Sequence, residues 1–491
     1  MTSTLRWHEA AVNDSAIPPR GDFTHTLFAR GYLLSKKHQA APVAHWRSSV
    51  VGSWYLTRDP RLAATFRSDG EKSLLLIGNA IDLRTEVEGA AVVDVLHRAW
   101  RSSKADLDEA LEWLAGRYVI LGQSNSEGFL QTDATGMLSA SYSSRDQLIS
   151  SHQNLLSEAA GGLDLSPFGG HRWLAEHNAS TFPGTYTRFD GVRMLTANTE
   201  LNLRDFSINR VGPLPMDRHG SEDAAHTVLD LMQRQLPFLA RSGGGPMVSL
   251  TAGLDSRVTT AVMRPLLADS LFFTYERHRD PKNVSKRDSE VARELSSWLK
   301  LKHHSYKVRP LSKASALDAS LEAILERNTF VSHGRSIAAS YLRELPADRL
   351  HVRSNLYEIA RAFYRSPPEE GIGARGFASL LTGGAVSSGP AVEAFDEMIA
   401  TTGILHVDGY EPLDLFYWEH RMVSWFNKVL LESDIAHDTH IIVNSRVILR
   451  YMLSVSSRER REGQLLDRVI ALAWPAVYDL PVNGRVRKLA L

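Results

Sequence analysis

Val248-Ser249-Leu250-Thr251-Ala252-Gly253-Leu254-Asp255-Ser256-Arg257 joins a short apolar run to a helical pattern through a turn of small residues. Met247–Leu250 predicts a buried strand, and 256–268 (SRVTTAVMRPLLA) predicts a helix. A helix that begins there offers unpaired backbone N–H groups and the positive end of its dipole, which suits an anion such as pyrophosphate. Small residues at 251–253 let the backbone approach that anion, and the hydroxyls of Thr251 and Ser256 can donate to it. Asp255 is the expected oxygen ligand for Mg²⁺. The plainer alternative is that Asp255 and Ser256 only cap the helix. No Gly-Lys-Ser/Thr follows, so the turn is not a Walker loop.

Outward from this turn the pattern alternates. Residues 223–242 (DAAHTVLDLMQRQLPFLARS) carry apolar residues at helical spacing, with Pro237 expected to end or kink the helix. Downstream, 271–275 (LFFTY) predicts a second buried strand and 288–301 (DSEVARELSSWLKL) a second amphipathic helix. Strand, helix, strand, helix at this rhythm implies a parallel sheet with right-handed crossovers. The remainder to 491 reads as mainly helical. Upstream, 113–144 and 185–208 read as short strands separated by Ser, Asn, Gly and Asp. The turn formers and charges of 213–223 (PLPMDRHGSED) mark a linker between the two textures.

The chain has 491 residues, 43% hydrophobic and 23% charged, which is the balance of a globular protein of two to four domains. Lys+Arg and Asp+Glu both number 56, so no basic footprint for nucleic acid is present. There is no cysteine, which excludes disulfides, thiolate metal sites and a cysteine nucleophile. Neither a secretory pattern at the start nor a run of 18 apolar residues is found, so the expected compartment is the cytoplasm, with no membrane partner.

Thr251–Ser256 resembles the Ser-Gly-Gly-x-Asp-Ser pyrophosphate loop of N-type ATP pyrophosphatases, with Thr for Ser and Ala for the first Gly. Leu114–Val119 and Asp133–Met137 resemble two signatures of the glutaminase domain of asparagine synthetase, and 182–195 resembles its closing segment. The resemblance therefore points to the asparagine synthetase and β-lactam synthetase-like family. It implies an α/β and α+β architecture. Residues 1–213 would be an N-terminal-nucleophile-hydrolase-like αββα sandwich. Residues 214–491 would be an adenine-nucleotide α-hydrolase-like (HUP) parallel-sheet domain with a helical C-terminal region. The family's glutaminase cysteine follows the initiator Met, where this chain has Thr2, so the front domain is expected to be inactive as a glutaminase.

The resemblance also implies a site. Leu250, Thr251, Ala252, Gly253, Leu254, Asp255 and Ser256 would hold the ATP phosphates, Asp255 would bind Mg²⁺, and Phe273 and Thr274 would line the adenine pocket. Asp288–Ala292, Leu301 and His303-His304 resemble the family's next helix and its following histidine, and these histidines read as structural. Arg353–Arg361 resembles the family's second loop; Glu358 keeps its final glutamate, while Ser354 and Tyr357 replace a glutamate and a magnesium-binding aspartate. Arg446, in a segment resembling Arg-Val-Pro-Phe-Leu-Asp, and Lys488, after Leu480-Pro481, complete the expected catalytic set with Glu358. The implied activity is AMP-forming amide ligation, in which a small-molecule or peptide carboxylate is activated as an acyl-adenylate and coupled to an amine. Natural-product or peptide cyclisation falls within that class. A homo-oligomer or a pathway partner protein is compatible with it. Two alternatives stay open: a non-catalytic paralogue that binds nucleotide or a partner, and an ammonia-dependent asparagine synthetase.

Overall fold

The computed structural model describes residues 23–330 and 334–483. In chain order the strands of the first half are β1 (Tyr32–Ser35), β2 (Arg47–Val51), β3 (Trp54–Arg58), β4 (Ala64–Ser68), β5 (Lys72–Asp82), β6 (Val87–Glu88), β7 (Leu114–Ser124), β8 (Gly128–Thr132), β9 (Ser141–Ser143), β10 (Leu148–Ser150), β11 (Arg193–Met194), β12 (Thr199–Asn202) and β13 (Ile208–Arg210). They form two antiparallel sheets, ordered β11-β9-β10-β1-β3-β2 and β13-β12-β8-β7-β5-β4, with β6 paired to β5. The longest ladder runs from Lys72↔Ser124 to Asp82↔Leu114.

Period-two alternation along that ladder sorts the side chains into layers. Leu74, Leu76, Tyr118 and Ile120 face outward onto helices α1 (Ala90–Ser102) and α2 (Lys104–Glu112), where Val92, Val93, Leu96 and Trp100 are buried. Leu75, Ile77, Val119 and Leu121 face inward and meet Tyr32, Leu34, Trp54 and Ile149 of the other sheet. The outer face of that sheet carries Leu33 and Leu148 onto helix α3 (Gln153–Ala159) through Leu155 and Leu156. The front half is thus helix, sheet, sheet, helix. Each large side chain sealed in these layers contributes about 1.5–3 kcal/mol of transfer free energy.

After a short helix α4 (His171–Glu176) and a segment from 211 to 220 without helix or strand, α5 (Ser221–Gln233) and α6 (Leu236–Arg241) follow. The predicted 223–242 helix is therefore two helices, and Pro237 sits at the start of the second, where its missing N–H costs nothing. Next come β14 (Pro246–Ser249), α7 (Leu254–Val262), β15 (Leu271–Glu276), α8 (Val284–Trp298), β16 (His303–Lys307), α9 (Ala316–Asn328), α10 (Arg335–Glu344), β17 (Leu350–Val352) and β18 (Thr439–His440). All pairings in this sheet are parallel, in the order β16-β15-β14-β17-β18, so the direction of winding reverses at β14. Val248, Phe272 and Val352 point to one face and pack in the core shared by α5, α7 and the helix Gln464–Ala473. Met247, Phe273 and Tyr306 point to the other, against Leu321 and Leu325 of α9 and Ala338 and Tyr341 of α10.

Three expectations change in detail. The helix expected over 288–301 begins at Val284, because Asp280 accepts the N–H groups of Ser285 and Lys286 and Asn283 turns with a φ of 51°. Residues 185–208 hold only the short β11 and β12 and the first residue of β13 between turns. The region read as mainly helical also supplies β16, β17 and β18. Among the described residues no helix is long and apolar enough to cross a membrane.

The two halves share one core. Ile81, Ala115, Met137, Phe182 and Ala197 of the front half pack with Tyr417, Trp418, Val423 and Val447 of the rear. Gly116 lies at this seam with a φ of 118°, and a Cβ there would stand 2.3 Å from the Asn79 carbonyl oxygen. Its bare backbone lets Asn444 dock on both sides: Gly116 N–H donates to the Asn444 carbonyl at 3.2 Å, and the Asn444 amide donates back at 2.6 Å.

Candidate functional site

The carboxyl ends of β14, β15 and β17 open into one cleft of about 620 Å³. Open parallel sheets bind ligands at this edge, beside the strand where winding reverses. Ser249, Leu250, Thr251, Gly253, Asp255 and Ser256 come from the first connection, Phe273, Thr274 and Tyr275 from the second strand, and Arg353, Ser354 and Asn355 from the residues after β17.

The turn is held by its own hydroxyls. Ser256 Oγ lies 3.0 Å from Thr251 Oγ1 and accepts the Thr251 N–H at 3.2 Å, while Thr251 Oγ1 accepts the Gly253 N–H at 3.1 Å. The Ala252 N–H donates to Asp288 Oδ1 at 3.0 Å, and burial pushes the Asp288 carboxyl up. No side chain caps α7 at Gly253, so neither Asp255 nor Ser256 acts as the cap. Gly253, Asp255 and Ser256 put the N-terminus of α7, and with it the favourable dipole end, on the cleft wall. Asp255 Oδ2 accepts Arg361 Nη2 at 2.8 Å.

Around this turn stand four cations, Arg277, Arg279, Lys282 and Arg353. Among the described residues none of the four forms an ion pair. Asp280, the nearest carboxylate in sequence, is taken up by Ser285, whose hydroxyl and N–H hold it below the usual carboxylate range. The same cleft is lined by Asp255, Asp280 and Asp288, so it sets four cations against three carboxylates, one of which, Asp255, is already paired with Arg361; the donors of the four cations stay available to a polyanion.

Thr274 Oγ1 donates to the Leu250 carbonyl at 2.7 Å and meets His303 Nε2 at 2.9 Å. Burial pushes His303 down to about 4, so the ring is neutral and fixes the Thr274 hydroxyl rather than shuttling protons at neutral pH. The Phe273 ring is fully buried between Tyr306 and His351, and only its backbone reaches the cleft.

Of the residues expected at the site, Leu250, Thr251, Gly253, Asp255, Ser256, Phe273 and Thr274 line this cleft together. Ala252 and Leu254 bury their side chains beneath the turn, so only their backbone can serve a ligand. Glu358 does not line the cleft; it is half-buried before the turn Ile359–Arg361, and burial pushes its carboxyl up. Tyr357 does not replace a metal-binding carboxylate either, because its hydroxyl is buried against Thr259 Oγ1 at 2.9 Å.

Arg446 is a correction to the expected catalytic set. It lies in the seam, where it donates to Asn198 Oδ1 and the Thr132 carbonyl, both at 3.1 Å. Lys488 and Thr2 lie outside the described residues. The residues that sequence reasoning missed are the cleft cations. Arg277, Arg279 and Lys282 crowd the connection between β15 and α8, and a basic run at that strand end is the signal that would have found three of the four.

A Mg²⁺ ion is commonly held by one or two carboxylates together with substrate phosphates. Asp255, at the cleft and on the first turn of α7, fits such a role once its Oδ2 is released from Arg361, with Asp288 lining the same cleft. Among the described residues no group of three or more His, Cys, Asp or Glu could hold a metal alone.

No family model matches the chain, and no curated protein matches it in sequence. Among solved structures it is similar to the allosteric regulatory enzyme of purine biosynthesis, at 13% identity and a TM-score of 0.24, over 46% of this chain and 56% of that one. It is also similar to the glutamine phosphoribosylpyrophosphate amidotransferase from B. subtilis complexed with ADP and GMP. That match has 10% identity and a TM-score of 0.22, over 46% of this chain and 55% of that one. Each match spans about half of the known protein. Overlaps of this size carry no argument about the site.

Proposed function

We propose that the protein is an ATP-dependent, AMP-forming amide-bond ligase of the asparagine-synthetase-like kind. Its front sandwich would act as a structural platform rather than a glutaminase. The observation that carries this reading is the turn Thr251–Ser256 at the reversal point of the parallel sheet, facing four cations that form no ion pair among the described residues. The helix, sheet, sheet, helix order of the front half supports its N-terminal-nucleophile-hydrolase-like descent, and the parallel order supports the adenine-nucleotide reading of the rear.

In the first step a carboxylate oxygen of the substrate attacks the α-phosphorus of ATP. The bond to the bridging oxygen breaks, and pyrophosphate leaves with that electron pair. The first-turn N–H groups of α7 and the side chains of Arg277, Arg279 and Lys282 would neutralise the departing charge. A Mg²⁺ held by Asp255 and the phosphates would add to that neutralisation. In the second step an amine attacks the acyl carbon, AMP leaves, and the amine gives up one proton. With no cysteine in the chain, the amine arrives directly: the substrate's own amine, a second molecule, or ammonia. An ATP-consuming reaction of this kind belongs in the cytoplasm.

One observation favours a second reading, a non-catalytic nucleotide-binding paralogue: the Ala252 N–H and Asp255 Oδ2 are already engaged by Asp288 and Arg361. Carboxylate-dependent exchange of labelled pyrophosphate into ATP separates the two. The ligase reading expects exchange, with Asp255→Ala losing Mg²⁺-dependent ATP binding while keeping its fold. ATP bound tightly but never exchanged, with any carboxylate, would select the paralogue.

A further inference from the structure

Beyond the nucleotide cleft lies a second chamber of about 180 Å³. The two cavities are continuous, because Tyr275, Arg277, Tyr341, Arg353 and Asn355 line both. The far walls of the chamber are Ile337 and Ala338 of α10 together with Trp425, Phe426 and Val429. These are apolar or aromatic, whereas the shared mouth carries two guanidinium groups. Arg353 is steadied there by Ser433 Oγ at 3.0 Å from Nη1 and Asn355 Oδ1 at 3.3 Å from Nε, with its guanidinium 5.5 Å from the centre of the Phe426 ring. Near the back, Glu432 is buried and accepts the Gly334 N–H at 2.7 Å.

We propose that this chamber is the acyl pocket of the ligase, and that it selects a monocarboxylic acid bearing an aromatic or branched apolar group. The inference rests on the ligase reading and adds the class of acid. A cavity of roughly 150 Å³ lined by apolar side chains can hold a benzene ring, so the chamber has room for one aryl or isobutyl-sized group. With that group against Trp425, Phe426 and Val429, the carboxylate of the same molecule falls at the mouth, beside Arg353 and Arg277. That is the junction from which an oxygen can reach the nucleotide cleft. A second carboxylate on the substrate would instead be driven into the chamber, whose lining beyond the mouth offers no cation to meet it. Aspartate is therefore the wrong acid for this protein.

The test uses the full chain with two readouts. The first is calorimetric binding of 3-phenylpropanoate, 4-methylpentanoate, propanoate and aspartate to protein loaded with a non-hydrolysable ATP analogue. The second is pyrophosphate exchange with the same acids. The two apolar acids are expected to bind and exchange, with kcat/KM about 100-fold above propanoate, and aspartate is expected to do neither. Val429→Phe, which fills the chamber, is expected to reduce the preference for 3-phenylpropanoate over propanoate at least tenfold, with the affinity for the ATP analogue unchanged. Exchange with aspartate but not with the apolar acids overturns the chamber assignment and leaves the ligase reading standing. Binding of the apolar acids without exchange, with the preference altered by Val429→Phe, keeps the chamber and overturns the ligase. If no acid binds, or if Val429→Phe leaves the preference unchanged, the chamber assignment is wrong.

Discussion

Arginine appears in two settings in this protein. In the seam between the halves, its donors are consumed. Arg117 meets Asp434 with two bonds of 2.6 Å and donates to the Met137 carbonyl, and Arg30 donates to the Asp434 carbonyl. Arg210 meets Glu419 at 2.8 and 2.7 Å, and Asn198 joins Glu419 to Arg446. In the cleft, Arg277, Arg279, Lys282 and Arg353 form no ion pair among the described residues. A buried cation whose partners are all supplied by the protein has finished its work at folding. Arg277, Arg279 and Lys282 are exposed and Arg353 is half-buried, so their donors stay available to a ligand. The number of arginines does not distinguish the two regions; their hydrogen-bond partners do.

The seam should give the largest response. Asp434→Ala leaves Arg117 buried without its partner and should cost about 3–5 kcal/mol of stability in urea unfolding. The double change Arg117→Met with Asp434→Leu should recover most of that loss. If the single change costs no more than a surface substitution, the Arg117–Asp434 pair does not fasten the seam.

Lys428 sharpens the seam from another side. It is buried, its Nζ donates to Thr181 Oγ1 at 3.1 Å, and burial pushes it down to about 7. Between that value and the ordinary lysine range the unfolded chain binds the extra proton, so stability should rise with pH from about 7 to about 10. Lys428→Met should flatten that rise and add about 2–4 kcal/mol at pH 7. A slope unchanged in the variant would show that another group carries it.

In the cleft the expected change is in binding rather than folding. Arg279→Ala should weaken ATP about tenfold, as one lost phosphate contact does, and move stability by no more than about 0.5 kcal/mol. Arg446→Ala should do the reverse, lowering stability while leaving ATP affinity within about twofold. Equal effects of the two changes on ATP affinity would erase the distinction between the regions.

How much of this could be read from the sequence follows from what pattern encodes. The strand, turn and helix at 247–262 were legible because small residues and apolar periodicity are local. They place seven of the nine nucleotide-site residues on one cleft wall. The αββα sandwich was reached through resemblance. The continuous apolar run of β5 (KSLLLIGNAID) hides its two faces, and β16, β17 and β18 are too short and polar to announce themselves. Arg446 was misplaced for a different reason. An arginine in a motif looks alike whether its partner is a phosphate or Asn198, and only the fold brings residues 198 and 446 together. The acyl chamber was not legible at all, because its walls come from α10, the segment after β17 and residues 425–433.

On this reading the cleft splits ATP between its α- and β-phosphates while the seam only holds the halves together. The most direct measurement incubates the protein with Mg²⁺, ATP labelled at the α-phosphate, an apolar monocarboxylic acid and ammonia or a simple primary amine, and separates the labelled products. Labelled AMP is expected in step with amide, abolished by Arg277→Ala with Arg279→Ala. Labelled ADP as the product would contradict it.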